Sequence, residues 1–209
     1  MRRHETMHVL VSYDVKSLFT NVPVEESLAI CHKRLADKTW FDGADISKQT
    51  IIRLLRFCLT ATAFHYNGKH YKQLDGVAMG SPVSSAVADI FMEDLEGKAF
   101  SKYPDVPRVW HRFVDDIITV MKKDGAEKFL QHLNNQHPRI QFTMEQEKDG
   151  SLPFMDVRFT RRRNGTLARI VYQKPTHTNR YLHYKSHHPS SVKSGVVASL
   201  AHTSNQSQQ

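Results

Sequence analysis

The chain has 209 residues, of which 40% are hydrophobic and 24% charged, and its net charge is +8. These values are ordinary for a globular protein of one or two domains, and no apolar run approaches the ~18 residues that a membrane-spanning helix needs. No signal peptide is recognisable, and Cys31 and Cys58 are predicted to be buried thiols and not a disulfide framework.

The positive charge is concentrated at the end of the chain. After Asp156 there is no Asp or Glu, while nine Lys and Arg residues follow, so that residues 1–156 carry a net charge of about −1. Tyr172, Tyr181 and Tyr184 are interleaved with these cations. Cations mixed with aromatic rings are typical of nucleic-acid surfaces; a solvated basic face or a patch for anionic membranes is the alternative.

The first half of the chain is predicted to form one strand, two helices and a hairpin, from its apolar periodicity and turn residues. The strand is Met7–Asp14, a helix opens at Val22-Pro23-Val24-Glu25-Glu26, a second helix is Ile46–Leu59, and the hairpin Phe64–Tyr71 turns at Asn67-Gly68. In the second helix, Ile51, Leu54, Leu55 and Cys58 are predicted to form the buried face.

The second half is predicted to alternate helices with paired strands. Its elements are a glycine-punctuated loop Gly76–Pro82, a helix Val83–Ala99, two strands within Val109–Met121 folded about Asp115-Asp116, a helix Ala126–Asn135, a strand Ile140–Met144, a hairpin of Leu152–Phe159 and Thr166–Tyr172, and a weak helix Val192–Leu200. The tail from Ser204 is predicted to be disordered. This order predicts an α+β fold built on a split βαβ unit with an inserted helical section.

Adjacent carboxylates between β-branched runs indicate a candidate metal site. Asp115 and Asp116 repel each other and partly leave water, a cost that divalent cations can offset. Taken alone, a solvent-facing Asp-Asp turn and a strand-end cap at Asp14 are the better interpretations. In a split βαβ sheet, however, the first strand lies beside the strand-turn-strand hairpin, so Asp14 and Asp115 are expected to converge and to hold two Mg²⁺ ions about 3.5–4 Å apart.

Three segments at these residues resemble the ordered motifs of reverse transcriptases. Ser12–Pro23 looks like motif A, Gly76–Ser84 resembles motif B, and Phe113-Val114-Asp115-Asp116 resembles motif C. Further on, Leu152–Val157 is similar to motif E, and Val171–Leu182 looks like the segment that follows it in Penelope-like retroelements. The resemblance covers about Val9 to Leu200 and implies a ferredoxin-like palm, with an antiparallel sheet and helices on one face.

The resemblance implies a role for each matching residue. Asp14 and Asp115 would be direct Mg²⁺ ligands, with Asp116 as a supporting carboxylate and the Val15 carbonyl as a further ligand; Mn²⁺ can substitute for Mg²⁺. Phe19 matches the steric-gate position, with a core aromatic as the alternative. The other nucleotide-binding candidates are Gly80, Ser81, Pro82 and the general-acid candidate Lys148. The nucleic-acid-binding candidates are Arg161, Arg162, Arg163, Lys174, Arg180 and Lys185.

The same resemblance implies the domain organisation and partners. Residues 1–185 would be the palm core with its basic segment, and residues 186–209 the start of a truncated thumb with a disordered tail. Fingers would lie upstream, and a GIY-YIG endonuclease has no room in the tail. The expected partners are an RNA template, a DNA primer and a deoxynucleoside triphosphate, without a membrane, and the expected location is nuclear. Met79 departs from the Gln that many families place before the motif B glycine.

Two other interpretations remain open at this point. The chain could be a catalytically inactive nucleic-acid-binding remnant of a retroelement, although Asp14, Asp115 and Asp116 are all present. A zinc module using His177, His183, His187 and His188 is disfavoured, because no cysteine lies nearby to complete a tetrahedral site.

Overall fold

The structure, a computed structural model, describes residues 8–36, 46–176, 178 and 180–206. Met7, His177, Asn179 and residues 207–209, which belong to predicted features, lie outside this range. The chain forms two compact units, Met1–Glu145 and Gln146–Gln209. None of the helices within the described ranges combines the length and apolar character needed to cross a membrane.

The first unit is built around a four-stranded sheet with the strand order β4-β5-β1-β6. Its elements are β1 His8–Val15, α1 Leu18–Asn21, α2 Val24–Ala36, α3 Lys48–Thr60, β2 Ala63–Tyr66, β3 Lys69–Lys72, α4 Pro82–Ser101, β4 Val109–Phe113, β5 Asp116–Lys122, a 3-10 turn Lys123–Gly125, α5 Ala126–Asn134 and β6 Phe142–Gln146. The first strand thus lies beside a strand-turn-strand hairpin, and β1 and β4 both pair antiparallel with β5. This is the predicted split βαβ arrangement.

The core of this unit forms where the sheet meets α4 and α5. Val9, Val11, Tyr13 and Val15 are buried at alternate positions of β1, as expected for one face of a pleated strand. From α4 and α5 the cluster receives Val87, Phe91, Met92, Leu95, Ala99, Phe129 and Leu133. The Tyr13 hydroxyl donates to the Ala126 carbonyl at 3.2 Å, and burial raises the pKa of Tyr13. The central strand is therefore anchored both by apolar packing and by a buried hydrogen bond.

Helix α3 buries a different face from the predicted one. Leu59 is buried, and Ile52 and Leu55 pack partly against the core, whereas Leu54 is 54% exposed and Cys58 is exposed. The prediction that Cys58 is buried is wrong, while Cys31 is buried as predicted. The helix carries apolar residues at neighbouring positions around much of its circumference, so periodicity alone could not choose between two overlapping stripes.

Several boundaries also differ from the predictions. The β4–β5 turn consists of Val114 and Asp115, and Asp116 already belongs to β5, where it pairs with Phe113. Strand β6 begins at Phe142 and not at Ile140. The predicted hairpin around Asn67-Gly68 is confirmed, with Tyr66 paired to Lys69.

The described residues of the second unit include a three-stranded antiparallel sheet and the helix α6. Strands β7 Ser151–Phe154, β8 Val157–Arg161 and β9 Leu167–Val171 pair in that order, and α6 spans Ser190–Gln206. The predicted single strand Leu152–Phe159 is therefore wrong: it is broken at Met155, whose φ is 53°. The β8–β9 hairpin turns around Asn164-Gly165 as predicted. Helix α6 includes residues 204–206 of the tail that was predicted to be disordered.

Candidate functional site

The three candidate metal-binding acids lie at one end of the four-stranded sheet. The register of β1 and β5 sets Asp14 directly opposite Asp116, and the Val15 N–H donates to the Asp115 carbonyl at 3.1 Å. Residues directly opposite on antiparallel strands project from the same face of the sheet. Asp14 is exposed, and Asp115 and Asp116 are half-buried. Asp14 and Asp116, which are 102 positions apart in the sequence, thus become neighbours at the backbone level.

The turn between β4 and β5 has an unfavourable backbone conformation. Val114 has a φ of 58°, in the left-handed region that is a genuine outlier for a β-branched residue. Such strain persists only where surrounding contacts over-determine the conformation. Here the neighbouring Asp115 carbonyl is bound by Val15, and Arg112 Nη1 approaches the Val114 carbonyl at 3.4 Å. The tertiary structure, and not local preference, therefore determines the shape of this turn.

Arg112 joins the hairpin to helix α4 through a largely buried ion pair. Its Nε donates to Glu96 Oε1 at 2.8 Å, with the two side chains 9% and 11% exposed, and its Nη1 donates to Asp89 at 2.6 Å. Trp110 Nε1 also donates to Glu96, at 2.9 Å. Burial disfavours the cation, but the attraction of Glu96 and the hydrogen bonds from Arg112 to Glu96 and Asp89 raise the pKa of Arg112 overall.

This network was not predicted from the sequence, although the sequence contains one signal for it. Glu96 lies at helical spacing among the buried Met92, Leu95 and Ala99, and is itself only 8% exposed. An acid on the buried face of a helix requires a cationic or hydrogen-bonding partner. Arg112, a cation in the strand just before Asp115 and Asp116, was therefore a candidate partner for Glu96.

The donor set at this end of the sheet suits Mg²⁺ by its chemistry. Carboxylate and carbonyl oxygens are the ligands that Mg²⁺ prefers, and it needs few of them because substrate oxygens and water complete its octahedron. Asp14, Asp115 and Asp116 supply such oxygens at adjacent backbone positions. In the described part of the chain, no three His, Cys, Asp or Glu side chains are already gathered as a ligand set. The fit of these three acids to Mg²⁺ thus rests on the type of donor atom and on the positions of their backbones.

The loop before α4 is attached to the segment after β1. Val77 N–H donates to the Phe19 carbonyl at 2.7 Å, and Gly76, with a φ of 71°, lies so close to Thr20 that an added Cβ would meet the Thr20 carbonyl oxygen at 2.5 Å. Only glycine fits this contact without a backbone shift. The Phe19 side chain is half-buried and packs against the core. The two candidate substrate-contacting segments are therefore held together by backbone contacts.

Arg139 adds a side-chain bridge between the same segments. Its Nη1 donates to Asp75, with a closest oxygen at 2.7 Å, and its Nη2 donates to the Thr20 carbonyl at 3.3 Å. The hydrogen bond from Arg139, together with that from the Gly76 N–H, lowers the pKa of the Asp75 carboxyl. Neither Asp75 nor Arg139 was predicted as a site residue, because the pair is separated by more than sixty residues and carries no local pattern.

The other nucleotide-binding candidates lie in two different places. Pro82 occupies the first turn of α4 and Ser81 its N-cap, and Gly80, with a φ of 85°, has open space where a Cβ would be. Lys148 belongs to the second unit, where its backbone pairs with Ser151 across a turn in which Asp149 and Gly150 have positive φ. The Lys148 side chain is exposed.

The basic candidates of the second unit differ in their surroundings. Arg161 donates to Glu147 at 2.9 Å, and Glu147 is only 4% exposed, so Arg161 has a structural partner within its own unit. The remaining candidates are exposed: Arg162, Arg163, Lys174, Arg180 and Lys185. Arg158 lies over the Tyr172 ring at 4.7 Å from its centroid. Of the predicted set, Arg161 is thus the one with an evident role in the fold.

Comparison with known proteins gives two findings. The sequence model of the family described as "Reverse transcriptase (RNA-dependent DNA polymerase)" matches residues 1–151. No curated protein matches the chain.

Three solved telomerase structures are similar to the chain in fold. Apo telomerase of Candida tropicalis truncated from its C-terminal domain has 14% identity and a TM-score of 0.59, and covers 81% of this chain and 36% of that one. Apo telomerase of the same organism has 13% identity and a TM-score of 0.59, and covers 73% of this chain and 31% of that one. Telomerase of Candida albicans in complex with a fragment of telomeric RNA has 13% identity, a TM-score of 0.57, and coverage of 77% and 32%. At this identity the likeness concerns the fold, and the chain spans about a third of the length of these telomerases.

Proposed function

Because the chain belongs to the reverse transcriptase family, we propose that it is the palm core of an RNA-directed DNA polymerase that transfers nucleotides to a primer 3′-hydroxyl. The parent would be a Penelope-like retroelement, a proposal that rests on the motif-like segments of the sequence. The observation that carries the catalytic proposal is the register of β1 and β5, which sets Asp14 opposite Asp116 while Val15 binds the Asp115 carbonyl.

In this mechanism the carboxylates serve as metal ligands. Asp14 and Asp115 would hold two Mg²⁺ ions, with the Val15 carbonyl as a further ligand and Asp116 in support. When bound, the ions would lower the pKa of the primer hydroxyl and neutralise charge on the triphosphate and leaving pyrophosphate. The exposure of Asp14 leaves it accessible to an ion and a substrate.

The remaining candidates would orient the substrate around this centre. Phe19 would lie beneath the sugar of the incoming nucleotide and exclude a 2′-hydroxyl, and the loop Gly80-Ser81-Pro82 would shape the position of the templating base pair. The hydrogen bond from Val77 to the Phe19 carbonyl supports a common placement of the two segments. Lys148 would donate a proton to pyrophosphate.

The proposed nucleic-acid partners are an RNA template and a DNA primer, with a deoxynucleoside triphosphate as substrate. The exposed basic residues of the second unit would contact phosphates: Arg162, Arg163, Lys174, Arg180 and Lys185. Each phosphate contact releases condensed counterions, so binding should weaken steeply with salt. Arg161 was proposed for the same role, but its ion pair with Glu147 supports a smaller contribution.

Mn²⁺ titration followed by paramagnetic relaxation tests the catalytic proposal. Asp14→Asn and Asp115→Asn should each weaken Mn²⁺ binding at least tenfold, because each removes a ligand of a shared site. Asp124→Asn is the matched control, since Asp124 is an exposed acid just beyond the other end of β5. If both site variants bind Mn²⁺ as tightly as the wild-type chain, the metal-site proposal fails.

The same variants distinguish a polymerase from an inactive nucleic-acid-binding remnant. Both proteins would bind nucleic acid with a steep salt dependence, but only the polymerase would bind Mn²⁺ through Asp14 and Asp115 and extend a primer on an RNA template. An unchanged affinity for nucleic acid together with Mn²⁺ binding that is insensitive to both substitutions would favour the remnant.

A further inference from the structure

The β2–β3 hairpin is exposed along its whole length. All eight strand residues, Ala63–Tyr66 and Lys69–Lys72, are exposed, although three of them are aromatic. Phe64, Tyr66 and Tyr71 are 55%, 69% and 42% exposed. An isolated two-stranded hairpin gains little stability of its own in water. These rings are therefore not accounted for by the packing of the core.

The pairing of the strands sorts the hairpin into two chemically distinct faces. Phe64 pairs with Tyr71 and Tyr66 with Lys69, and residues directly opposite or two apart share a face. One face thus carries three aromatic rings and a lysine, and the other carries Ala63, His65, His70 and Lys72. The Phe64 and Tyr71 rings stack, with centroids 5.4 Å apart and planes at 17°. We refer to the face of Phe64, Tyr66, Lys69 and Tyr71 as the aromatic face.

The stretch of sequence that contains the hairpin carries charged residues of a single sign. Residues 46–74, which include α3 and the hairpin, contain no Asp or Glu and carry five cations: Lys48, Arg53, Arg56, Lys69 and Lys72. The net charge of residues 1–156 is nearly zero because acids elsewhere in that range offset these cations. Arg56 is paired with Glu25 of α2, but the side chains of Arg53, Lys69 and Lys72 are exposed. The stretch therefore complements a polyanion.

We propose that the aromatic face of the β2–β3 hairpin binds an unpaired nucleic-acid strand, with bases stacking on Phe64, Tyr66 and Tyr71 and a phosphate contacting Lys69. Aromatic rings accept any base because every base has a π face, and adjacent cations neutralise the backbone. Lysine is depleted at protein–protein interfaces, so the presence of Lys69 among these rings favours a polyanion over a protein partner. This surface shares no residue with the carboxylate set or with the basic candidates Arg161–Lys185, and it needs neither a metal ion nor a nucleotide substrate.

Fluorescence anisotropy with the full chain tests the surface. The probes are labelled 15-nucleotide oligo(U) and oligo(dT), in buffer with EDTA. Phe64→Leu and Tyr66→Leu should each raise the Kd roughly five- to hundredfold, the range for loss of one base-stacking ring. His65→Leu is the matched control on the opposite face of the same strand and should change the Kd less than twofold. Leucine keeps apolar area but removes the π face.

The two oligonucleotides identify the strand that the surface takes. Stacking and phosphate contacts are common to RNA and DNA, so similar losses are expected with both probes. A larger loss with oligo(U) would identify RNA, and a larger loss with oligo(dT) would identify DNA, as the preferred occupant. Because all the substituted side chains are exposed, the variants should retain the thermal unfolding midpoint of the wild-type chain.

Photocrosslinking gives a second readout that does not depend on variants. Oligo(U) containing 5-iodouridine should crosslink to a peptide that includes Phe64, Tyr66 or Tyr71. The proposal is overturned if no crosslink falls within residues 64–71. It is also overturned if Phe64→Leu and Tyr66→Leu bind the oligonucleotides like the wild-type chain, or lose no more affinity than His65→Leu does. A change confined to self-association, measured by light scattering, would overturn it as well. Since EDTA excludes metal-dependent chemistry, a failure of the polymerase proposal would leave these results unaffected.

Discussion

The hairpins β2–β3 and β4–β5 of the first unit have the same construction and differ in their surroundings. In β2–β3 the pair Tyr66 and Lys69 closes a two-residue turn, and in β4–β5 the pair Phe113 and Asp116 does the same. The first turn is Asn67-Gly68, residues that adopt positive φ readily. The second is Val114-Asp115, in which a β-branched residue has a φ of 58°.

The difference shows how a turn can depart from local preference when tertiary contacts compensate. The strands of β2–β3 are exposed on both faces, so its turn relies on favourable turn residues. The β4–β5 turn is held by Val15, which binds the Asp115 carbonyl, and by Arg112, which is paired with the buried Glu96. Violations of local rules concentrate at functional sites. This contrast is consistent with a chemical role for the β4–β5 turn.

The largest expected effect comes from removing the buried ion pair beneath the β4–β5 hairpin. Arg112→Met should lower the free energy of unfolding by about 3–5 kcal/mol, because it leaves the carboxylate of Glu96 without its cation. Arg56→Met, which removes an exposed pair with Glu25 from α3, should cost less than about 1 kcal/mol. Urea denaturation measures both. Equal costs for the two substitutions would contradict the assigned burial of the Arg112 network.

A smaller effect is expected from adding one methyl group at two glycines with similar backbones. Gly76→Ala should cost about 2–4 kcal/mol, because its φ of 71° is strained for alanine and the Cβ would meet the Thr20 backbone. Gly68→Ala, in the β2–β3 turn with a φ of 75° and no atom within 4 Å, should cost only the conformational part, about 1 kcal/mol. Thermal unfolding of both variants measures the difference between their stability costs. This difference gives the contribution of the contact between Gly76 and Thr20. No difference would mean that this contact does not constrain the loop.

The smallest effect is expected at the turns themselves, and its sign is opposite. Val114→Gly should raise the free energy of unfolding by about 0.5–1 kcal/mol. The strain energy that it removes from the left-handed conformation is larger than the entropic cost of ordering a more flexible glycine. The same variant should bind Mn²⁺ more weakly, since the Asp115 backbone is less constrained. Asn67→Gly should change stability by less than about 0.5 kcal/mol, because asparagine tolerates its φ of 47°. A destabilised Val114→Gly chain would show that the valine side chain contributes more than its strain costs.

The elements with strong local signals were predictable from the sequence. The apolar run of β1, the Asn67-Gly68 turn and the small-residue helix α4 carry their structures in short patterns, and all three are observed. The position of the first strand beside the strand-turn-strand hairpin followed from the order of the elements, because a split βαβ unit leaves few alternatives. The buried face of α3 was not predictable, because its apolar residues extend around too much of the helix.

The sequence by itself therefore determined the kinds of element, their order, and the acids near the end of β1 and at the start of β5. Propensity, periodicity and turn chemistry determine these features because they act over a few residues. Only the tertiary structure decided the register that sets Asp14 opposite Asp116, the left-handed Val114, and the partners of Arg112 and Arg139. These features depend on contacts between residues far apart in the chain. Their energies arise only when packing removes the groups from water and holds them at hydrogen-bonding distance.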